Sequence, residues 1–215
     1  MKKNKFKIPF LLAITGGFGT GKSSVGNMLR RLKILVVDTD VLVRDILNNK
    51  NKVTEKIVKY FGREIANISA NEYINRRRLA EIVFNEPYKR KKLESIIHPE
   101  VRSRLSEIIK SNRNKKIIAV LIPLLFESKM QKYYDEIWCV VCKRQIQVKR
   151  LKKKGFSLDE IKARINSQLP QIEKAKLSHY IIDNSGTIIN TKKQVLKRLK
   201  LLVRLNHNLH LSCDI

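Results

Sequence analysis

Gly16-Gly17-Phe18-Gly19-Thr20-Gly21-Lys22-Ser23 is the stretch that decides how this chain folds. It fits G-x-x-x-x-G-K-[ST], a phosphate-binding loop, and the residues on both sides suit that motif. Before it, Ile8-Pro9-Phe10-Leu11-Leu12-Ala13-Ile14-Thr15 is an apolar run of buried-strand length. After it, Val25, Met28, Leu29 and Leu32 recur at helical spacing. Glycines at these positions let backbone N–H groups converge on phosphate oxygens with no Cβ in the way. The helix start adds its partial positive charge, Lys22 adds a full one, and the Ser23 hydroxyl is a hard ligand for Mg²⁺. Gly17, Phe18, Gly19, Thr20, Gly21, Lys22, Ser23 and Ser24 are therefore expected around the phosphates of a nucleoside triphosphate. The alternative is an ordinary glycine-rich turn, which gives no reason for the strand–loop–helix order.

Outward from the loop, Ile34-Leu35-Val36-Val37 is a β-branched run that ends in Asp38-Thr39-Asp40. In a parallel α/β sheet the strand C-termini open on one edge, so topology delivers both aspartates to the phosphate site. One of the two is also expected to cap the helix that follows. From residue 41 the pattern is helical: Val43, Ile46 and Leu47 share a face, with Arg44 one turn after Asp40. Val53, Ile57, Val58 and Phe61 follow and stop at Gly62. Asn75-Arg76-Arg77-Arg78 opens a helix with Leu79, Ile82 and Val83 inward. Three successive arginines are usually a solvated face, but these lie in a helical insertion where a kinase of this architecture receives its acceptor. Asn85-Glu86-Pro87 starts a further helix, with proline where its missing N–H costs nothing. Leu93, Ile96 and Ile97 lead to His98-Pro99, and Val101, Leu105, Ile108 and Ile109 continue beyond. Pro99 is expected to break this run into two helices, with His98 as a hydrogen bonder at their junction.

Lys116-Ile117-Ile118-Ala119-Val120-Leu121-Ile122 is continuously apolar, as a central parallel strand is, and ends in Pro123-Leu124-Leu125-Phe126-Glu127 on the catalytic edge. A strand over 136–142 precedes a basic helical excursion with Gln147, Arg150, Lys152, Lys153 and Lys154, closed by Gly155. Ser157-Leu158-Asp159-Glu160 is a capping box for a second helix through Ile161, Arg164, Ile165 and Gln168, halted near Pro170. Tyr180-Ile181-Ile182-Asp183 is a last strand, Asn184-Ser185-Gly186 its turn, and Val195, Leu196, Leu199, Leu202 and Val203 a closing helix that frays from His207. The fold expected is α/β: a P-loop kinase-type parallel sheet flanked by helices, with a helical acceptor-binding insertion and a small helical lid. It is expected as a single domain over 8–206, with core segments 8–40, 116–142 and 178–206, the insertion at 41–115 and the lid at 145–176.

The 215 residues carry 46 Lys+Arg against 19 Asp+Glu, a formal charge of +27. The excess is spread along the chain, is mostly lysine, and comes with abundant Ile and Asn, the pattern of AT-biased codon usage. Polyanionic small substrates and nucleic acid are the other two readings of such a surface. Cys139-Val140-Val141-Cys142 is formally C-x-x-C, yet residues three apart on a strand point to opposite faces, and no second pair completes a metal site. With Cys213 the thiols number three, and no disulfide framework is implied. Lys2, Lys3, Lys5 and Lys7 before an apolar run imitate a signal peptide, but that run is only strand-long and feeds directly into the glycine loop. No segment reaches transmembrane length, and a cytoplasmic protein is expected.

A phosphate loop alone does not say what is done with the triphosphate. A GTPase or motor ATPase needs long switch segments and a water-positioning residue; a small-molecule kinase needs an acceptor pocket, a base and an arginine-bearing lid. The second set is present here, and phosphoryl transfer is mostly positioning and charge neutralisation. Thr15 through Ser23, Asp38-Thr39-Asp40 with Arg44, LESIIHP at 93–99, PLLFE at 123–127, Gln147 with Arg150, Arg164 with Gln168, and IDNSG at 182–186 stand in an order that resembles the dephospho-coenzyme A kinases. The resemblance spans residues 10 to 200 or so. It implies transfer of the ATP γ-phosphate to the ribose 3′-hydroxyl of dephospho-coenzyme A. It further implies Asp40 as general base, Arg150 as lid arginine, Lys22 and Ser23 on phosphates and Mg²⁺, and Asn184 near the ATP base. Asp38 would orient Mg²⁺-bound water, and Arg44 with Arg77 or Arg78 would meet the acceptor's phosphates. The family often has arginine at the place of Lys154 and Ala-Asp at Ser178-His179, two departures that spare the loop and the D-x-D. ATP and dephospho-coenzyme A are the expected partners. No nucleic acid or membrane is expected, and the chain is read as a monomer or weak homo-oligomer. The competing readings are another nucleoside or nucleotide kinase, or a nucleic-acid-stimulated ATPase.

Overall fold

The computed structural model describes residues 9–67, 72–84 and 86–205. Readings that fall on the basic N-terminal residues, Asn85, Cys213 and the tail from His207 lie outside these. The described chain forms two compact units, one of residues 1–37 with 112–215 and the other of residues 38–111.

The first unit is built on strand β1 (Phe10–Gly16), helix α1 (Lys22–Arg31), β2 (Leu35–Asp38, whose last residue opens the second unit), β3 (Ile117–Leu121) and β4 (Glu136–Val141). Helices α6 (Arg144–Lys152), α7 (Leu158–Asn166) and α8 (Gln171–Lys176) then lead to β5 (Tyr180–Asp183) and α9 (Ile188–Leu205). Among the described residues these strands make one parallel sheet in the order β2-β3-β1-β4-β5. β1 is central, paired Leu12↔Ala119 with β3 and Ile14↔Trp138 with β4. A strand buried on both faces has no polar side, which is why its sequence is continuously apolar. Alternate residues Leu12, Ile14, Trp138 and Val140 pack with Val25 and Leu29 of α1 and Val195 and Leu199 of α9 in one core. Each such fully buried aliphatic side chain stabilises the fold by roughly 1.5–3 kcal/mol. At Gly26 a Cβ would come within 2.8 Å of Leu121 Cδ1, so a bare backbone lets α1 lie close on the sheet.

The sheet is pinned at its far end by charge. Trp138 Nε1 donates to Glu136 Oε1 at 3.1 Å, and Arg198 Nε of α9 donates to the same oxygen at 2.8 Å. The Arg198 guanidinium also lies over the Tyr180 ring, 5.3 Å from its centre. His179 serves the same edge: its Nδ1 accepts from Ile137 N–H at 2.9 Å.

The second unit is helical: α2 (Thr39–Asn48), α3 (Lys52–Phe61), α4 (Arg76–Phe84) and α5 (Pro87–Ser111). Its core joins Ile46, Leu47, Ile57, Phe61, Ile74, Leu79, Ile97 and Val101. The expected break at Pro99 is absent, and α5 runs through it unbroken. The proline removes one backbone donor, but Ile97, Val101 and Leu105 form a single buried row spaced four apart across it. Burying that row as one helix outweighs the lost bond. His98 is thus a mid-helix residue, with no junction to bridge.

Candidate active site

The loop after β1 is shaped by two glycines that no other residue replaces. Gly16 has φ 145°, and a Cβ there would fall 2.3 Å from the backbone oxygen of Val140. Gly21, the left-handed N-cap of α1 at φ 101°, would place a Cβ 1.9 Å from Asn184 Nδ2. Between them Thr20 is buried and turns its hydroxyl to the Gly17 carbonyl at 3.0 Å. The first N–H groups of α1 have no partner within the helix and carry its positive end. No acidic side chain occupies that first turn, where Ser23 is exposed and Ser24 N–H donates to the Gly21 carbonyl at 3.0 Å. Lys22 folds back over the loop, its ammonium 2.8 Å from the Gly16 carbonyl and 2.9 Å from that of Gly17. A cation held on neutral carbonyls is poised to exchange them for phosphate oxygens.

The loop is held from behind by the turn after β5. Asn184 is buried; its Nδ2 donates to the Thr20 carbonyl at 2.8 Å and its Oδ1 accepts from Thr191 at 2.9 Å. It is held from the side by the helices after β4. Gln147 of α6 donates to the Phe18 carbonyl, and Gln168, just past α7, accepts from Phe18 N–H at 3.0 Å. The Phe18 ring meets Phe156 edge-on at 5.2 Å, and Arg164 of α7 lies over both rings at 5.2 and 5.1 Å. Ser157 caps α7 through the expected box, accepting from Glu160 N–H at 3.1 Å and donating its own N–H to Glu160 Oε2 at 2.8 Å. Arg150 is half-buried on α6, with Nη1 3.9 Å from the point where a Gly21 Cβ would stand. The same nitrogen donates to Cys142 Sγ at 3.5 Å.

Behind these contacts lies a network that sequence reasoning missed. Lys174 of α8 is wholly buried, with Nζ 2.6 Å from the Pro123 carbonyl and 2.8 Å from Glu127 Oε1. The same Glu127 oxygen accepts from Leu169 N–H at 2.9 Å, so the PLLFE segment is tied to the residues leaving α7. Gln171 pairs with both backbone groups of Cys142, accepting at 3.0 Å and donating at 3.1 Å. Glu127 was visible as part of a motif; Lys174 sits in Gln-Ile-Glu-Lys-Ala-Lys, which reads as solvated. Cys139 and Cys142 are free, buried thiols, and burial pushes Cys139 up to about 11.

Within the second unit, Asp38 caps α2 by accepting from Asp40 N–H at 3.0 Å, so the first aspartate sets the backbone that carries the second. Asp40 and Arg44 are exposed on α2, one turn apart. Asn75 Oδ1 caps α4 by accepting from Arg78 N–H at 3.0 Å, which leaves Arg77 and Arg78 exposed on its first turn. Arg76 pairs with Glu72, and Arg77 lies 3.4 Å from Glu81.

The chain matches a family model described as CoaE, dephospho-CoA kinase, over residues 10–190. It is 40% identical over 193 residues to the dephospho-CoA kinase of Carboxydothermus hydrogenoformans, covering 88% of this chain and 93% of that one. Among solved structures it is similar to a Thermus thermophilus protein, at 31% identity and a TM-score of 0.80 over 93% of this chain and 100% of that one. It is also similar to the dephospho-CoA kinase of Campylobacter jejuni, at 27% identity and a TM-score of 0.66 over 91% and 98% of the two chains.

Proposed function

This chain belongs to the dephospho-CoA kinase family, and on that premise we propose how its own residues carry out ATP-dependent phosphorylation of the ribose 3′-hydroxyl of dephospho-coenzyme A. The observation that carries the proposal is Lys22, parked at 2.8 and 2.9 Å on two loop carbonyls beside the positive end of α1. Phosphate oxygens of ATP take the place of those carbonyls, and loop N–H groups other than that of Phe18, which Gln168 holds, close around them. Asn184 supports ATP binding by holding Thr20 in place. Asp40 accepts the proton of the acceptor hydroxyl. The hydroxyl oxygen bonds to the γ-phosphorus as the bond to the β–γ bridging oxygen breaks, releasing ADP. The transition state is loose, so little proton removal is needed early and a carboxylate suffices as base. Arg150 neutralises charge that gathers on the transferring group.

The residues present fit Mg²⁺: the Ser23 hydroxyl is an exposed oxygen donor at the start of α1, and an ion that keeps several of its waters needs few protein ligands. Ser23 would hold it directly and Asp38 through water. Bound with ATP, it would supply neutralisation of the phosphate charge. Arg44, with Arg77 or Arg78, receives the acceptor's phosphates, where a guanidinium fork matches two oxygens at once. We read the enzyme as a monomer or weak homo-oligomer. ATP and dephospho-coenzyme A are both polyanions, which gives the +27 charge a use without nucleic acid. No described helix is long and apolar enough to cross a membrane, and we place the enzyme in the cytoplasm.

ATP consumption measured with dephospho-coenzyme A, AMP, CMP and uridine separates this reading from other nucleotide kinases. Turnover is expected with dephospho-coenzyme A alone. Turnover with another acceptor instead, or ATPase activity that rises with DNA or RNA, sinks it.

A further inference from the structure

Phe18 is the residue of the phosphate loop whose two backbone groups both leave the loop. Thr20, by contrast, keeps its N–H and hydroxyl within the loop, on the Gly17 carbonyl at 3.4 and 3.0 Å, while its carbonyl accepts from Asn184. Phe18 N–H instead donates to Gln168 Oε1 at 3.0 Å, and its carbonyl accepts from Gln147 Nε2. A backbone N–H needs an oxygen and a carbonyl needs an N–H, so the backbone itself fixes which way each amide faces. Gln147 is buried, and its remaining oxygen accepts from Arg144 at 3.5 Å. The Phe18 ring is held by Phe156, in the turn between α6 and α7, and by Arg164 of α7.

We infer that Gln147 and Gln168 are positioning residues for ATP, acting on the phosphate loop through Phe18. The loop is rich in glycine, with φ of 77° at Gly19 and 101° at Gly21, and so has little stiffness of its own. Ordering such a segment costs conformational entropy at every residue. A loop already held at its middle residue presents its N–H groups without meeting that cost when ATP arrives. The two amides come from opposite ends of the helical excursion, one on α6 and one past α7. The loop therefore takes its shape from the segment that carries Arg150. This rests on the kinase reading for the identity of the nucleotide, but not for the contacts.

The two glutamines have opposite hydrogen-bond polarity, which makes a matched pair of variants decisive. Gln147→Glu and Gln168→Glu each add one negative charge next to Phe18. Gln168→Glu keeps an acceptor for Phe18 N–H, whereas Gln147→Glu turns a carboxylate against the Phe18 carbonyl. ATP affinity is measured by calorimetry on the whole protein without acceptor, with KM for each substrate and kcat measured alongside. Gln147→Glu is expected to weaken ATP binding about tenfold or more beyond Gln168→Glu, the scale of an unsatisfied buried carbonyl. KM for dephospho-coenzyme A is expected to stay within about twofold for both, since no contact to the acceptor is touched. Equal ATP affinities in the two variants overturn the proposal, and wild-type failure to phosphorylate dephospho-coenzyme A overturns the kinase reading instead. Should Gln147→Glu not fold, amide exchange at Phe18 in the wild-type protein decides: slow exchange is expected, and exchange at open-loop rates contradicts the anchor.

Discussion

The two units spend charge differently. In the sheet unit, Lys174 with Glu127 and Arg198 with Glu136 join residues far apart in the chain through half-buried or buried groups. In the helical unit, Arg90 with Glu94 and Arg104 with Glu100 are pairs four residues apart on α5, while Arg76 with Glu72 and Lys89 with Glu86 join the first turn of a helix to the residues just before it. The first kind fixes tertiary positions, Lys174 with Glu127 beside the candidate site and Arg198 with Glu136 at the far end of the sheet. The second decorates helix surfaces and leaves the shape to the apolar core of Ile46, Ile57, Ile97 and Val101. The difference suits the roles proposed: a donor side that must hold backbone N–H groups to within fractions of an ångström, and an acceptor side that presents exposed arginines to a polyanion.

The largest effect expected is at Lys22. Lys22→Ala removes the point charge on the phosphates and should lower kcat/KM by about 10³ or more, with weaker ATP binding, in steady-state assays and calorimetry. Loss of kcat with ATP binding intact would move Lys22 from the donor side to a purely catalytic role. Next comes Lys174. Lys174→Met leaves Glu127 and the Pro123 carbonyl without their cation, and denaturant unfolding should show about 3 kcal/mol lost. A loss under 1 kcal/mol would mean that the sheet unit does not depend on its buried pair.

His98 gives a smaller effect with a definite sign. Burial on α5 holds its imidazole below the ordinary 6.5, helped by Arg102 and opposed by Glu94. An unfolded chain therefore binds a proton on His98 at a pH where the folded chain does not. Its contribution is whole above about pH 6.5 and is lost as the pH falls through that value towards the folded pKa. Melting temperatures of the wild type and His98→Gln are expected to converge or cross as the pH drops from 7.5 to 5; parallel curves contradict this. The smallest effect belongs to the helical unit's surface. Lys89→Ala breaks an exposed pair and should change stability by less than about 0.5 kcal/mol.

Much of the donor side was legible in the chain because its parts are local. The glycine loop, the apolar strands, the Ser157 capping box and the D-x-D at the end of a strand each announce themselves within ten residues. The helix through Pro99 was not legible, since the proline argues for a break and only the buried row of Ile97, Val101 and Leu105 argues against it. Helix α8 escaped notice because its apolar residues show no periodicity, and Lys174 escaped because its partners stand 47 and 51 residues away in sequence. Gln147 and Gln168 could be quoted as part of a family pattern, but nothing in either residue says that both end on Phe18. Local propensity is written in neighbours; long-range pairing appears only once the sheet has brought its edges together.

We propose a division of labour: the loop of the sheet unit holds ATP, and Asp40 of the helical unit activates the acceptor. Asp40→Asn tests it most directly, with ATP affinity from calorimetry and kcat for dephospho-coenzyme A measured on the same preparation. The account predicts ATP affinity within about twofold of wild type and kcat lowered by roughly 10²–10⁴, the usual range for a general base. A variant with near wild-type kcat, or one that loses ATP binding along with turnover, contradicts it.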